Sequence, residues 1–243
     1  VPSVHKGMDV VFVRETTEGM TRAGTVVAGS GEFRPNDEIS IGMRVVTRKG
    51  ANRVARVACE IAATRPRKVV TTVHKAPTFK LVCGMFAEEC HKAVKDFPGV
   101  TMQDVLIDSF ALKLAMKPQQ FDVVVTTNTF GDILTDLGAG LAGGLGLAPG
   151  MCVGEKQAMA QATHGSAPDI AGKGIANPYA MIMSGKMMLE WLGYKYDEPK
   201  AVAAAHAIDA AVDTVMAAGK DLTVDLGGKA STQQMGDAIA AAI

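Results

Sequence analysis

Asn128-Thr129-Phe130-Gly131-Asp132-Ile133-Leu134-Thr135-Asp136 follows closely on the apolar run Phe121-Asp122-Val123-Val124-Val125-Thr126. The run reads as a buried strand. Beyond it, Ile133, Leu134, Leu137 and Leu141 recur at helical spacing. Asp132 and Asp136 are four apart, so they share one helix face about one turn from each other. Like charges at that spacing repel, and a cation between them reverses the sign. Carboxylate oxygens are hard ligands suited to Mg²⁺ or Mn²⁺. A solvated acidic face is the plainer alternative. The position favours the cation: the pair follows a buried strand, at the crevice where open α/β sheets bind ligands.

Other strand ends carry chemistry too. Met8 to Val13 reads as a strand ending in Arg14-Glu15-Thr16-Thr17-Glu18-Gly19. Arg14 is placed to fork onto a substrate carboxylate; a structural pairing with Glu15 or Glu18 is the alternative. Lys68 to Val73 is a second strand and delivers His74-Lys75-Ala76-Pro77, where Lys75 can shuttle a proton if its pKa is lowered. Val100 to Ile107 is a third, with Asp108 at its end, before a short helix from Phe110 to Met116 that Pro118 stops. Asp108, Asp132 and Asp136 together make a divalent metal site plausible.

The rest supplies the frame. Residues 20–47 alternate glycines with short β-branched runs and read as a hairpin arm, of the kind that pairs between subunits. Helices are expected from Gly50 to Thr64, Phe79 to Val94, Tyr179 to Leu192, Lys200 to Ala218 and Thr232 to Ile243. His91 falls on an exposed face and is assigned no role. Gly143 to Gly150 is glycine-rich but matches no phosphate-loop pattern, and reads as a hinge or close-packed crossover with a domain boundary beside it. Residues 1–142 are expected to form a central domain with the arm, and 143–243 a second domain. The segment from Ala162 to Pro178 is small, polar and rich in glycine, fit to wrap a nucleotide.

Composition narrows the partners. The 243 residues carry 25 basic and 25 acidic side chains, so nucleic acid and anionic membranes are not expected partners. No uninterrupted apolar run reaches the ~18 residues of a membrane span, and the start shows no secretory signal. Cys59, Cys83, Cys90 and Cys152 form no zinc spacing. Cys59, Cys83 and Cys152 read as small core residues, and a reducing cytoplasm fits.

Taken together, several stretches resemble the isocitrate/isopropylmalate dehydrogenases, the β-decarboxylating dehydrogenases of hydroxy acids. They are Val13 to Gly19, Asn128 to Asp136, His164-Gly165-Ser166-Ala167-Pro168-Asp169, Ala176-Asn177-Pro178 and Asp225-Leu226-Gly227-Gly228. The resemblance implies an α/β fold of two domains, incomplete at the N-terminus, in a homodimer with shared active sites. It implies NAD, Mg²⁺ or Mn²⁺, and a (2R,3S)-malate-type substrate, 3-isopropylmalate first. Asp132 and Asp136 of one subunit and Asp108 of the other would hold the metal. Arg14 would bind the malate carboxylate, and Lys75, from the second subunit, would take the hydroxyl proton. His164, Gly165, Ser166, Ala167, Pro168, Asp169, Ile170 and Asn177 would bind NAD, with Asp169 on the adenosine ribose. The family's opening third, with further substrate arginines, has no counterpart here. Thr21 stands where the family has a proton-donating Tyr, and Pro77 where it has an Asn beside the nicotinamide. These departures motivate an alternative, a catalytically impaired or structural member. A metal-dependent hydrolase built on the three Asp residues lacks a His base beside them.

Overall fold

The computed structural model describes residues 3–20 and 28–243, in two compact units. The first is His5–Gly138. Its centre is a four-stranded parallel sheet in the order β1-β6-β4-β5, built from β1 (Val11–Arg14), β6 (Val123–Thr126), β4 (Val69–His74) and β5 (Thr101–Leu106). β6 is inserted between β1 and β4, with Val11 opposite Val123 and Val70 opposite the same residue. All four β6 residues are buried, which is why this strand reads as a continuous β-branched run.

Both faces of the sheet are covered. Helix α1 (Arg48–Thr64) turns Ala51, Val54, Ala55, Ala58, Cys59 and Ala62 inward and packs with α2 (Val82–Ala93) over Val13, Val70, Val123 and Val125. Thr47 caps α1 by accepting from Gly50 N–H. Phe110 of α3 (Ile107–Met116) stacks with Phe121, centroids 4.4 Å apart, and meets Phe12 edge-on at 6.4 Å. A separate antiparallel hairpin, β2 (Glu32–Asn36) with β3 (Ile39–Gly42), forms the described part of the expected arm, and all its residues are exposed. Thr21 lies outside the described residues.

The sequence helix following β6 is α4 (Asn128–Ala142). The second unit comprises Ala139–Ile243 with Ser3 and Val4. It contains the hairpin of β7 (Met151–Val153) and β8 (Ala158–Ala160) and the helices α5 (Tyr179–Tyr196), α6 (Pro199–Ala218) and α7 (Thr232–Ala241). Ala211, Val212, Val215, Leu226, Met235 and Ile239 form its core. α6 is long and apolar enough to cross a membrane by length and composition, the only such helix among the described residues. Here its Asp209 is paired with Lys186 of α5 at 3.1 Å.

Two expectations are corrected. Cys152 is exposed, because it lies on the two-stranded β7–β8 hairpin, whereas Cys90 is buried with Cys59 and Cys83. Burial pushes the Cys59 thiol up to about 11. The strand expected to run to Ile107 ends at Leu106 and the short helix starts at Ile107 rather than Phe110, because the backbone turns helical there, which puts Asp108 just beyond β5 in the first turn of α3.

Candidate active site

The carboxyl edge of the parallel sheet gathers the chemistry of the first unit. In sheet order it presents Arg14 from β1, Asn128 just beyond β6, Lys75 just beyond β4, and Asp108 just beyond β5. At ~4.8 Å between strands, β1 and β5 are about 14 Å apart.

At the β1–β6 end, Arg14 makes four contacts with α4. Its Nε and Nη2 donate to Asn128 Oδ1 at 3.1 and 2.6 Å. Its Nη1 donates to Asp132 Oδ1 at 2.5 Å. Its aliphatic stem passes Gly131, where an added Cβ would lie 2.5 Å from Arg14 Cγ. Neither Glu15 nor Glu18 pairs with it. Glu15 accepts from Thr17 N–H, Glu18 N–H and Arg53 Nη2. Glu18 accepts from Thr47 N–H at 2.8 Å and Thr47 Oγ1 at 2.7 Å, against the N-terminus of α1. Both acids are buried because backbone and hydroxyl donors and the helix end offset their desolvation.

At the β4–β5 end, Lys75 Nζ lies 2.8 Å from Asp108 Oδ1. That ammonium, and then the N–H groups opening α3, hold the Asp108 carboxyl below its ordinary pKa. Neighbouring His74 is buried, its Nδ1 accepting from Ala76 N–H at 3.1 Å. Its Nε2 has no hydrogen-bond partner; Asp104 Oδ1 stands 3.6 Å away. His91 is exposed, as read, with Nε2 2.7 Å from Asp104 Oδ2.

Asp132 and Asp136 are both exposed on α4, one turn apart, and offer hard oxygens to a cation. Asp132 already faces positive charge, that of Arg14. Those two residues fit half of a divalent site. Among the described residues no group of three acidic, His or Cys side chains is placed to hold a metal ion within the chain. Asp108 lies at the strand two places from β6, on the side away from Arg14.

In the second unit, Gly165, Ser166, Ala167, Pro168 and Asp169 form an exposed loop, with His164 and Ile170 half-buried. His164 Nδ1 lies 2.8 Å from Gly165 O. Ala167 is left-handed, at φ 46°, and leads into the 3₁₀ turn Pro168–Ile170 that carries the Asp169 carboxylate outward. Such a loop, with exposed backbone and an acid beside it, fits a ribose and phosphate chain. Asn177 is different: it is buried, its Oδ1 accepting from Tyr179 N–H to open α5 and its Nδ2 donating to Asp225.

Three groups at this edge carry no role in the sequence reading. Asn128 opens the motif and carries Arg14. Glu18 supports Asn128, whose Nδ2 donates to Glu18 O at 2.7 Å. Arg44 lies over the rings of Phe130 at 4.3 Å and Phe79 at 5.3 Å and donates to Thr127 Oγ1 at 2.7 Å. Asn128 and Glu18 lie within the stretches that carry the resemblance, whereas Arg44 has no sequence signal.

Comparison with known proteins identifies the family. The family model for isocitrate/isopropylmalate dehydrogenase matches residues 2–239. The isocitrate/homoisocitrate dehydrogenase of Thermus thermophilus is 44% identical over 243 residues, 100% of this chain and 68% of that protein. The 3-isopropylmalate dehydrogenase of Archaeoglobus fulgidus is 43% identical over 240 residues, 99% of this chain and 69% of that protein. The crystal structure of isocitrate dehydrogenase from Methylococcus capsulatus superposes with a TM-score of 0.87 at 42% identity, covering 99% of this chain and 69% of that one. The chain therefore belongs to the isocitrate/isopropylmalate dehydrogenase family, dehydrogenases that decarboxylate hydroxy acids.

Proposed function

We propose that the protein oxidises and decarboxylates a (2R,3S)-malate-type acid, 3-isopropylmalate or a close analogue such as isocitrate, homoisocitrate, D-malate or tartrate, with NAD and Mg²⁺ or Mn²⁺. The observation that carries this reading is the Arg14–Asp132 contact at the carboxyl edge of the sheet. It sets a carboxylate-binding fork beside a cation-binding carboxylate, the two functions a metal-assisted hydroxy-acid site needs.

Arg14 binds the malate carboxylate and orients the substrate. Asp132 and Asp136 hold the cation with Asp108 of the partner subunit. The chemistry supplied by the cation and dinucleotide, when bound, is Lewis-acid polarisation at the hydroxyl-bearing carbon and acceptance of its hydride. Lys75, once deprotonated to the neutral amine, takes the hydroxyl proton, and its own chain's Asp108 positions it. Because Lys75 and Asp108 sit together and apart from Arg14 and Asp132, each chain offers two half-sites, and a homodimer completes both. Residues 1–142 carry this chemistry; 143–243 bind NAD through His164, Gly165, Ser166, Ala167, Pro168, Asp169, Ile170 and Asn177. Asp169 suits a free ribose 2′-hydroxyl and repels a 2′-phosphate. Free cysteines fit a cytoplasmic setting.

Pro77 favours a second reading, a catalytically impaired member. It is exposed two residues after Lys75 and offers neither an N–H nor an amide to a nicotinamide.

The deciding experiment is a steady-state assay of the full-length protein on isopropylmalate, isocitrate, D-malate and tartrate with Mn²⁺ and NAD or NADP. Turnover on isopropylmalate is expected, with NAD preferred roughly ten- to thousandfold in kcat/KM. A folded, Mn²⁺-binding protein that turns over none of the acids establishes the second reading.

A further inference from the structure

We infer that Asn128 is a positioning residue for Arg14, fixing which edge of the guanidinium meets the substrate. A guanidinium can grip a carboxylate side-on, through Nε and one Nη, or end-on, through both Nη atoms. Asn128 Oδ1 occupies the side-on edge, accepting from Nε at 3.1 Å and Nη2 at 2.6 Å. The end-on edge is the other one, and a ligand there shares Nη1 with Asp132 Oδ1, 2.5 Å away. A carboxylate is thereby admitted from one direction only, beside the residue that would hold the cation.

Asn128 can do this because it is itself fixed. It is 2% exposed. Its Nδ2 donates to Glu18 O at 2.7 Å, and the Glu18 side chain is tied to Thr47 at the start of α1. Gly19 lets the loop close on it: a Cβ there would fall 2.9 Å from Asn128 Cβ, and its φ of 102° also favours glycine. The amide has one workable orientation, because a flipped group would turn N–H toward the guanidinium and oxygen toward a carbonyl. An arginine held in this way loses less rotamer freedom when substrate binds.

The inference rests on the proposed role of Arg14 in carboxylate binding, and the experiment separates the two. D-malate binding to the full-length protein with Mn²⁺ present is measured by calorimetry for wild type, Arg14→Met, Asn128→Ala and Asn128→Asp, each with its thermal unfolding curve. Asp at 128 keeps an oxygen for Arg14 but loses the donor to Glu18 O. Arg14→Met and Asn128→Ala are expected to weaken binding tenfold or more. Asn128→Asp is expected to bind within about threefold of wild type even though its melting temperature falls. If Asn128→Ala binds like wild type, or Asn128→Asp is as weak as Asn128→Ala, the positioning role is overturned. If Arg14→Met binds like wild type, the carboxylate role of Arg14 fails and this inference with it. Should Asn128→Ala not fold, the Asp variant decides alone: retained affinity supports the role, and a tenfold loss refutes it.

Discussion

Arg14 Nη1 and Asp132 Oδ1 meet at 2.5 Å, with the Asp132 side chain 58% exposed and that of Arg14 27% exposed. The guanidinium therefore stands where a cation on Asp132 would stand. Without substrate, the two compete for one carboxylate. Exposed pairs of this kind contribute ~0.2–1 kcal/mol, which corresponds to as much as about fivefold in affinity. Arg14→Met should bind Mn²⁺ alone two- to fivefold more tightly, although it loses D-malate. Arg44→Met removes an equal charge that does not touch Asp132, and should change Mn²⁺ affinity less. Calorimetry showing no tightening in Arg14→Met, or equal tightening in both, sinks the competition.

Two glycines of α4 should respond oppositely to alanine. At Gly131 a Cβ would meet Arg14 Cγ at 2.5 Å and Arg14 Cβ at 2.9 Å, so the strand itself must shift. Overpacking of this sort costs ~1–3 kcal/mol. At Gly140 nothing lies within 4 Å, and the position is exposed. There the helix preference for alanine should stabilise by up to about 1 kcal/mol. Urea unfolding of both variants checks the pair; equal shifts would show that Gly131 is not closely packed.

Separation of Lys75 and Asp108 from Arg14 and Asp132 makes a complementation test decisive. Lys75→Ala and Asp132→Asn homodimers should each be inactive. Randomly mixed and reassembled, about half of the dimers are mixed, and each mixed dimer holds one intact site, so roughly a quarter of wild-type activity should return. Sites confined to single chains would leave the mixture inactive.

Glu89 provides a pH-dependent part of the stability. Its carboxylate is covered, and first Lys92 and then Arg48, each 2.7 Å from Oε1, hold its pKa below the ordinary value. A folded pKa below the unfolded ~4.3 means that the contribution is complete above ~4.3. It is lost as pH falls through the folded value. Glu89→Gln should be less stable than wild type at pH 7, and the gap should narrow below about pH 4. A gap that stays constant down to pH 3 would contradict the assignment.

Local pattern revealed the elements better than their neighbours. The β6 run and the α4 periodicity place Asp132 and Asp136 correctly, because both depend on residues adjacent in sequence. The partner of Arg14 was hidden. Its contacts lie 114 and 118 residues away, and the β1–β6 adjacency that creates them comes from an inserted strand. Glu15 and Glu18 read as alternative partners of Arg14, since nothing in their immediate sequence announces the Thr47 and Arg53 donors they take instead. Cys152 misled because its apolar neighbours belong to a short hairpin rather than to a core.

The same β6 insertion bears on the order in which the site assembles. Among the described residues β1 pairs with β6 alone, and more than a hundred residues separate them in the chain. Closing so long a loop is entropically costly and favours pairings nearer in sequence. β4 and β5, joined through α2, are free to pair early. The place of β1 in the sheet waits on its long-range pairing with β6. Arg14, the proposed carboxylate ligand, is thus carried on a strand whose pairing closes the longest loop of the sheet, so on that proposal ligand binding reports on completion of the sheet.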